Sequence, residues 1–91
     1  MNWVVLESRA ASKVLKKLPH HIQSKYSYWK RVVTNDGIKK LVQIKGFNFE
    51  KLRGAKSGQC SCRLSIGYRV IFEINDKDFY VLVLEVNKHE Y

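Results

Sequence analysis

Residues 50–74, EKLRGAKSGQCSCRLSIGYRVIFEI, constrain this chain most, because two strand-like runs meet there at a turn whose length decides which side chains share a sheet face. A two-residue loop at Ile66 and Gly67 would demand positive φ at β-branched Ile66 in its type I′ form. It would also pair Arg63 with Val70 and Leu64 with Arg69, mixing charge into both faces. A three-residue loop, Ser65-Ile66-Gly67, instead puts glycine at the left-handed position, where it costs nothing sterically. Arg63 then lies opposite Arg69. With that register Cys60, Cys62, Leu64, Tyr68, Val70, Phe72 and Ile74 form an apolar face, and Ser61, Arg63 and Arg69 line the other.

The remainder of the chain supplies layers for that sheet. Asn2 to Glu7 reads as a first strand, with Trp3, Val4, Val5 and Leu6 suggesting burial on both faces. Ser8 suits a helix cap, and Arg9 to Leu18 follows with Ala11, Val14, Leu15 and Leu18 on one stripe until Pro19 ends it. His20 to Val33 repeats the pattern through Ile22, Tyr26, Trp29 and Val33, so two helices form a hairpin. Thr34-Asn35-Asp36-Gly37 breaks the helix before a short one over Ile38 to Gln43. After Ile74, Asn75-Asp76-Lys77-Asp78 is a turn signal, and Phe79 to Val86 is apolar except for Glu85, as expected of a strand covered on both sides.

The order predicts an α+β domain: an N-terminal strand, then two to three helices packed on one face of a mainly antiparallel four-stranded sheet. Ninety-one residues suffice for one domain with a single core. The other sheet face stays open. It holds Arg63 and Arg69, receives the loop bearing Glu50, Lys51 and Arg53, and lies where the tail with His89 and Tyr91 can return.

Charge indicates what such a face would meet. The formal net charge is +9, and it is unevenly spread: residues 9–69 hold fifteen Lys/Arg against Asp36 and Glu50, whereas residues 70–91 hold two against five acids. A positive field of this kind suits a polyanion, nucleic acid above all. Lys39, Lys40, Lys45, Lys51 and Lys56 read as diffuse electrostatics toward RNA. Tyr26, Tyr28 and Trp29 fit a helix core better than a base-stacking platform. Cys60 and Cys62, two apart on one strand, read as buried thiols outside disulfide geometry. A zinc site would need two more ligands at sensible spacing, and only His20, His21 and His89 are on offer. Neither a signal peptide nor a membrane-length apolar run is visible, which points to the cytosol.

Glu50-x-Leu52-Arg53, Gly58-x-x-Ser61-x-Arg63, Tyr68-Arg69-Val70-Ile71-Phe72-Glu73 and a last hydrophobic strand ending in a His and Tyr tail together resemble the RelE/YoeB superfamily of bacterial toxins, the YoeB branch most. The resemblance covers the C-terminal half; in the N-terminal half only the strand-helix-helix order agrees. Two departures stand out. The family often has an aromatic residue where Cys60 stands, and Glu90 separates His89 from Tyr91, which are adjacent in the YoeB pattern.

The resemblance implies the toxin of a type II toxin–antitoxin system: an mRNA endoribonuclease that works without metal or cofactor, commonly on the ribosome. Its partners would be a cognate antitoxin, mRNA and the ribosome, with operator DNA also bound by the toxin–antitoxin complex. In this chemistry a 2′-hydroxyl attacks the neighbouring phosphorus, so the site needs a base, positive charge and an acid. Glu50 would be the base, Arg69 the phosphate clamp and His89 the acid, with Tyr91 positioning the phosphate or stacking on a base. Lys51, Arg53, Lys56 and Arg63 would bind RNA. Two other readings stay open at this point: a non-enzymatic ParE-like toxin that inhibits DNA gyrase, and an RNA-binding domain without chemistry.

Overall fold

A computed structural model describes residues 3–88. The chain forms β1 (Val4–Glu7), α1 (Arg9–Leu15), α2 (His20–Gln43), β2 (Glu50–Lys51), β3 (Cys60–Ser65), β4 (Tyr68–Asn75) and β5 (Tyr80–Lys88), with 3-10 turns at Lys45–Phe47 and Gly54–Lys56. The sheet has five strands in the order β1-β5-β4-β3-β2. Among the described residues only β1 and β5 pair in parallel. The α+β architecture is the expected one. The fifth strand is β2, two residues from a stretch whose pattern suggests a loop.

The helices cover one sheet face. Trp29, Ile22, Val33 and Leu41 of α2 are buried with Val70 and Phe72 of β4 and Val81 and Val83 of β5. Trp29 meets Phe72 edge-on at 5.1 Å. Each such buried side chain stabilises the fold by roughly 1.5–3 kcal/mol relative to exposure. The helical hairpin is locked by Gln23, whose Nε2 donates to Leu15 O at 3.2 Å and Leu18 O at 3.0 Å. It is tied to the sheet by the Tyr26 hydroxyl, which donates to Glu7 Oε2 at 2.5 Å.

Several expectations are corrected. Val4 and Leu6 are 51% and 46% exposed, so β1 is not buried on both faces. It is an edge strand, and only Trp3 and Val5 reach the core. Ser8 does cap α1, accepting from Ala11 N at 3.0 Å, but the helix stops at Leu15 rather than Leu18. Its last turn tightens ahead of Pro19, with Lys17 N donating to Val14 O, and Val14 is left exposed. Strand β5 starts at Tyr80 and runs to Lys88, with one buried face and one half-buried.

The break expected over residues 34–37 is a single kinked residue. Thr34, Asn35 and Asp36 stay helical, and Gly37 alone departs, at φ 79° and ψ −178°. A Cβ built there would lie 2.9 Å from Trp3 Nε1, so glycine is required both by the backbone and by the close indole.

The turn after β3 reaches the expected register by a different route. Arg63 pairs with Arg69, but Ser65 pairs with Tyr68, leaving Ile66 and Gly67 as a two-residue turn and an irregularity at Leu64 that shifts the ladder by one. Gly67 is not at positive φ; its N–H is held by the Ser65 hydroxyl at 3.2 Å. The bulge, not a left-handed glycine, keeps the two arginines opposite each other.

Candidate functional site

Glu50, Ser61, Arg63 and Arg69 share the face away from the helices because of register alone. Glu50 stands opposite Ser61, Ser61 opposite Ile71, and Arg63 opposite Arg69. Together with Asn48 and Tyr68 they line a concavity of about 190 Å³. A carboxylate and two guanidinium groups therefore meet in one depression.

Arg69 is half-buried, and its Nε is enclosed with no hydrogen-bond partner among the described residues. A buried, unpaired charged donor is costly unless an acceptor comes to it. Arg63 is exposed, and among the described residues neither arginine lies within 4.0 Å of a carboxylate. Glu50 likewise has no ion-pair partner there; its Oε1 accepts a long hydrogen bond from Asn48 Nδ2 at 3.4 Å. Ser61 is buried at the floor.

The other residues expected at the site divide. Lys51 alternates away from Glu50, pairs with Cys60 and lies in a shallow depression with Arg53 beside the site. Lys56 reaches Glu85 at 3.0 Å, so its charge is already partnered. His89 and Tyr91 lie outside the described residues; Lys88, the last described residue, pairs with Tyr68 at the edge of the concavity. Among the described residues no group of three His, Cys, Asp or Glu could hold a metal ion, and no helix is long and apolar enough to cross a membrane.

Asn48 joins the site without having been expected there, and Glu85 stands outside the concavity, opposite Ile71. Asn48 adopts left-handed φ 44° and ψ 55° two residues before Glu50. Asparagine tolerates that conformation better than most residues, which is the signal its sequence position offers. Glu85 stands out in sequence as the one charge in an apolar strand. Its carboxyl is held below the usual range, first by the hydrogen bond from Lys56, against a partial desolvation.

No protein-family model matches the chain, and no curated protein matches it. Solved structures do. The RelBE2 toxin–antitoxin complex from Mycobacterium tuberculosis contains a chain similar over 98% of this one and 100% of its own, at TM-score 0.74 and 22% identity. The archaeal RelE–RelB complex from Pyrococcus horikoshii OT3 gives 97% and 96% coverage, TM-score 0.75 and 23% identity. The YoeB–YefM complex from Staphylococcus aureus gives 99% and 100%, TM-score 0.74 and 15% identity. With coverage nearly complete on both sides, the described chain has the fold shared by these RelE and YoeB toxin structures, the fold that its sequence motifs resemble.

Proposed function

We propose that this protein is the toxin of a type II toxin–antitoxin system and acts in the cytoplasm as an endoribonuclease on ribosome-bound mRNA. The observation that carries the reading is the paired Arg63 and Arg69 beside Glu50 in one concavity, with Arg69 Nε unpaired among the described residues. Two like charges set directly opposite destabilise a strand pair unless an anion joins them. A pure RNA binder, moreover, gains nothing from a carboxylate among its cations.

In the proposed reaction Glu50 takes the proton of a ribose 2′-hydroxyl as its oxygen attacks the adjacent phosphorus. Negative charge grows on the two non-bridging oxygens. The Arg69 fork and the Arg63 guanidinium neutralise that charge, more strongly in the transition state than in the bound substrate. The bond to the 5′-oxygen breaks and that oxygen is protonated, leaving a 2′,3′-cyclic phosphate and a 5′-hydroxyl. His89 is proposed as the proton donor, since an imidazole titrates near neutrality, and Tyr91 as a group that meets phosphate or base. No step calls for a metal. Lys51 and Arg53 would follow the RNA backbone beyond the site, and the strong net positive charge would draw RNA in. An acidic antitoxin segment would neutralise the same surface.

The test is exposure of programmed ribosomes to the purified protein, with the termini of any fragments identified. Cyclic-phosphate and 5′-hydroxyl ends are expected. Intact mRNA together with inhibited DNA gyrase would replace the reading with a ParE-like one.

A further inference from the structure

The open face is not uniformly open. Ser61 and Ile71 are opposite each other and face away from the helices by register, yet both are buried. Ile71 is also opposite Glu85 of β5. Glu85 Oε2 accepts from Lys56 Nζ at 3.0 Å, and Oε1 accepts from Asn87 Nδ2 at 3.4 Å. Asn87 in turn is the cross-strand partner of Arg69. Lys56 belongs to the loop that follows Glu50, so its reach to β5 spans the strands β3 and β4 lying between. An outward residue is buried only if something lies over it, and the Lys56 side chain, reaching Glu85 opposite Ile71, is a contact that passes there.

Among the described residues the loop has few other anchors. It turns at Gly54 and Gly58, both at positive φ, and is closed at its base by Leu52 N donating to Gln59 O at 2.9 Å. Strand β2 has two residues, too few for its ladder alone to fix Glu50. We propose that the Lys56–Glu85 pair is a clasp that folds this loop over Ile71 and sets the placement of Glu50 relative to Arg69, which makes Glu85 a positioning residue for the reaction. The inference rests on the ribonuclease reading. Both side chains are about half exposed, 47% and 45%, so the pair adds little stability by itself. Its effect is geometric, and small misplacements of reacting groups are expensive in rate.

The test uses Glu85→Gln, Lys56→Ala and the double variant, with single-turnover cleavage of ribosome-bound mRNA and, separately, affinity for a short single-stranded RNA. The clasp predicts that turnover falls roughly tenfold in each single variant and no further in the double. Affinity should move oppositely, up for Glu85→Gln, which removes a negative charge, and down for Lys56→Ala. Turnover that simply follows affinity, or losses that add in the double variant, would overturn the proposal. Amide hydrogen exchange over residues 53–59 reads the clasp without any activity: faster exchange in both single variants supports it, and unchanged exchange overturns it. If the wild-type protein cleaves no RNA while exchange responds as expected, the ribonuclease reading falls and takes the catalytic role with it, but the clasp stands as a structural element.

Discussion

Arg63 of β3 stands directly opposite Arg69 of β4, a pair of like charges held side by side on the sheet face away from the helices. Like charges so placed repel, and an arrangement that costs stability in the free protein is a common mark of a ligand site. The bulge at Leu64 imposes it, since without that shift the Ser65–Tyr68 turn would put Leu64 opposite Arg69. Deleting Leu64 removes the extra residue along with a core side chain, and the Ser65–Tyr68 turn then sets Arg63 opposite Arg69 in a regular ladder. The arginine pair should survive, with turnover close to what an equally destabilised Leu64→Ala retains, as measured by cleavage at matched fractions folded; a much lower turnover would show that the bulge itself, and not the pairing, shapes the site.

Gly37 and Trp3 give a sharper stability test. A side chain at Gly37 meets the indole and a backbone conformation reserved for glycine. Gly37→Ala should lose about 2 kcal/mol or more in urea unfolding. Trp3→Ala in the same background should recover part of the steric loss but none of the backbone cost.

Much of this architecture is legible from periodicity and punctuation. The order of elements, the cap at Ser8 and the Cys60–Cys62–Leu64 core face follow from alternation and turn chemistry. What sequence does not reveal are facts of neighbourhood. The edge position of β1 depends on parallel pairing with β5, at the far end of the chain, and no local pattern records that. Two-residue β2 is too short to carry a period. At the site, the residue types on the open face are readable from alternation, whereas the Lys56–Glu85 pair joins positions whose proximity only the folded loop creates. The Arg63–Arg69 register follows in sequence from a turn type that the chain does not use.

The buried thiols predict behaviour in alkali. Burial pushes the Cys62 thiol up to about 12, the Trp29 N–H beside it offsetting only part, and burial raises Cys60 too. Tyr26 is likewise raised, by burial and by its hydrogen bond to Glu7. Each folded value lies above the unfolded one, so the neutral forms stabilise the fold fully below about pH 9. That contribution is lost as pH climbs toward 12. Urea midpoints should fall across this window, with a shallower fall in Cys62→Ala, and a thiol reagent should label neither cysteine at about pH 7.5 until the protein unfolds.

Lysines away from the concavity should affect binding alone. Lys39 and Lys40 are exposed on the last turns of α2. Lys39→Ala or Lys40→Ala should weaken RNA binding and reduce the log-log salt slope by about 0.7 for each phosphate no longer neutralised, with single-turnover cleavage at saturation unchanged.

The carboxylate should show the reverse profile. Glu50→Gln removes the proposed base and a negative charge from a basic face, so RNA affinity should hold or rise while cleavage falls, by roughly 100-fold or more. Parallel losses of affinity and rate would place Glu50 in folding rather than chemistry.

The most direct test is single-turnover cleavage of mRNA on ribosomes by Arg69→Ala and Arg69→Lys, with RNA affinity determined separately. If Arg69 meets charge that appears only as the phosphorus is attacked, Arg69→Ala should lower the rate on the order of 100-fold while affinity changes only a few-fold, and lysine should restore little because it lacks the fork. Cleavage at the wild-type rate by Arg69→Ala would contradict the account, leaving the arginine pair as surface charge on a toxin-like scaffold.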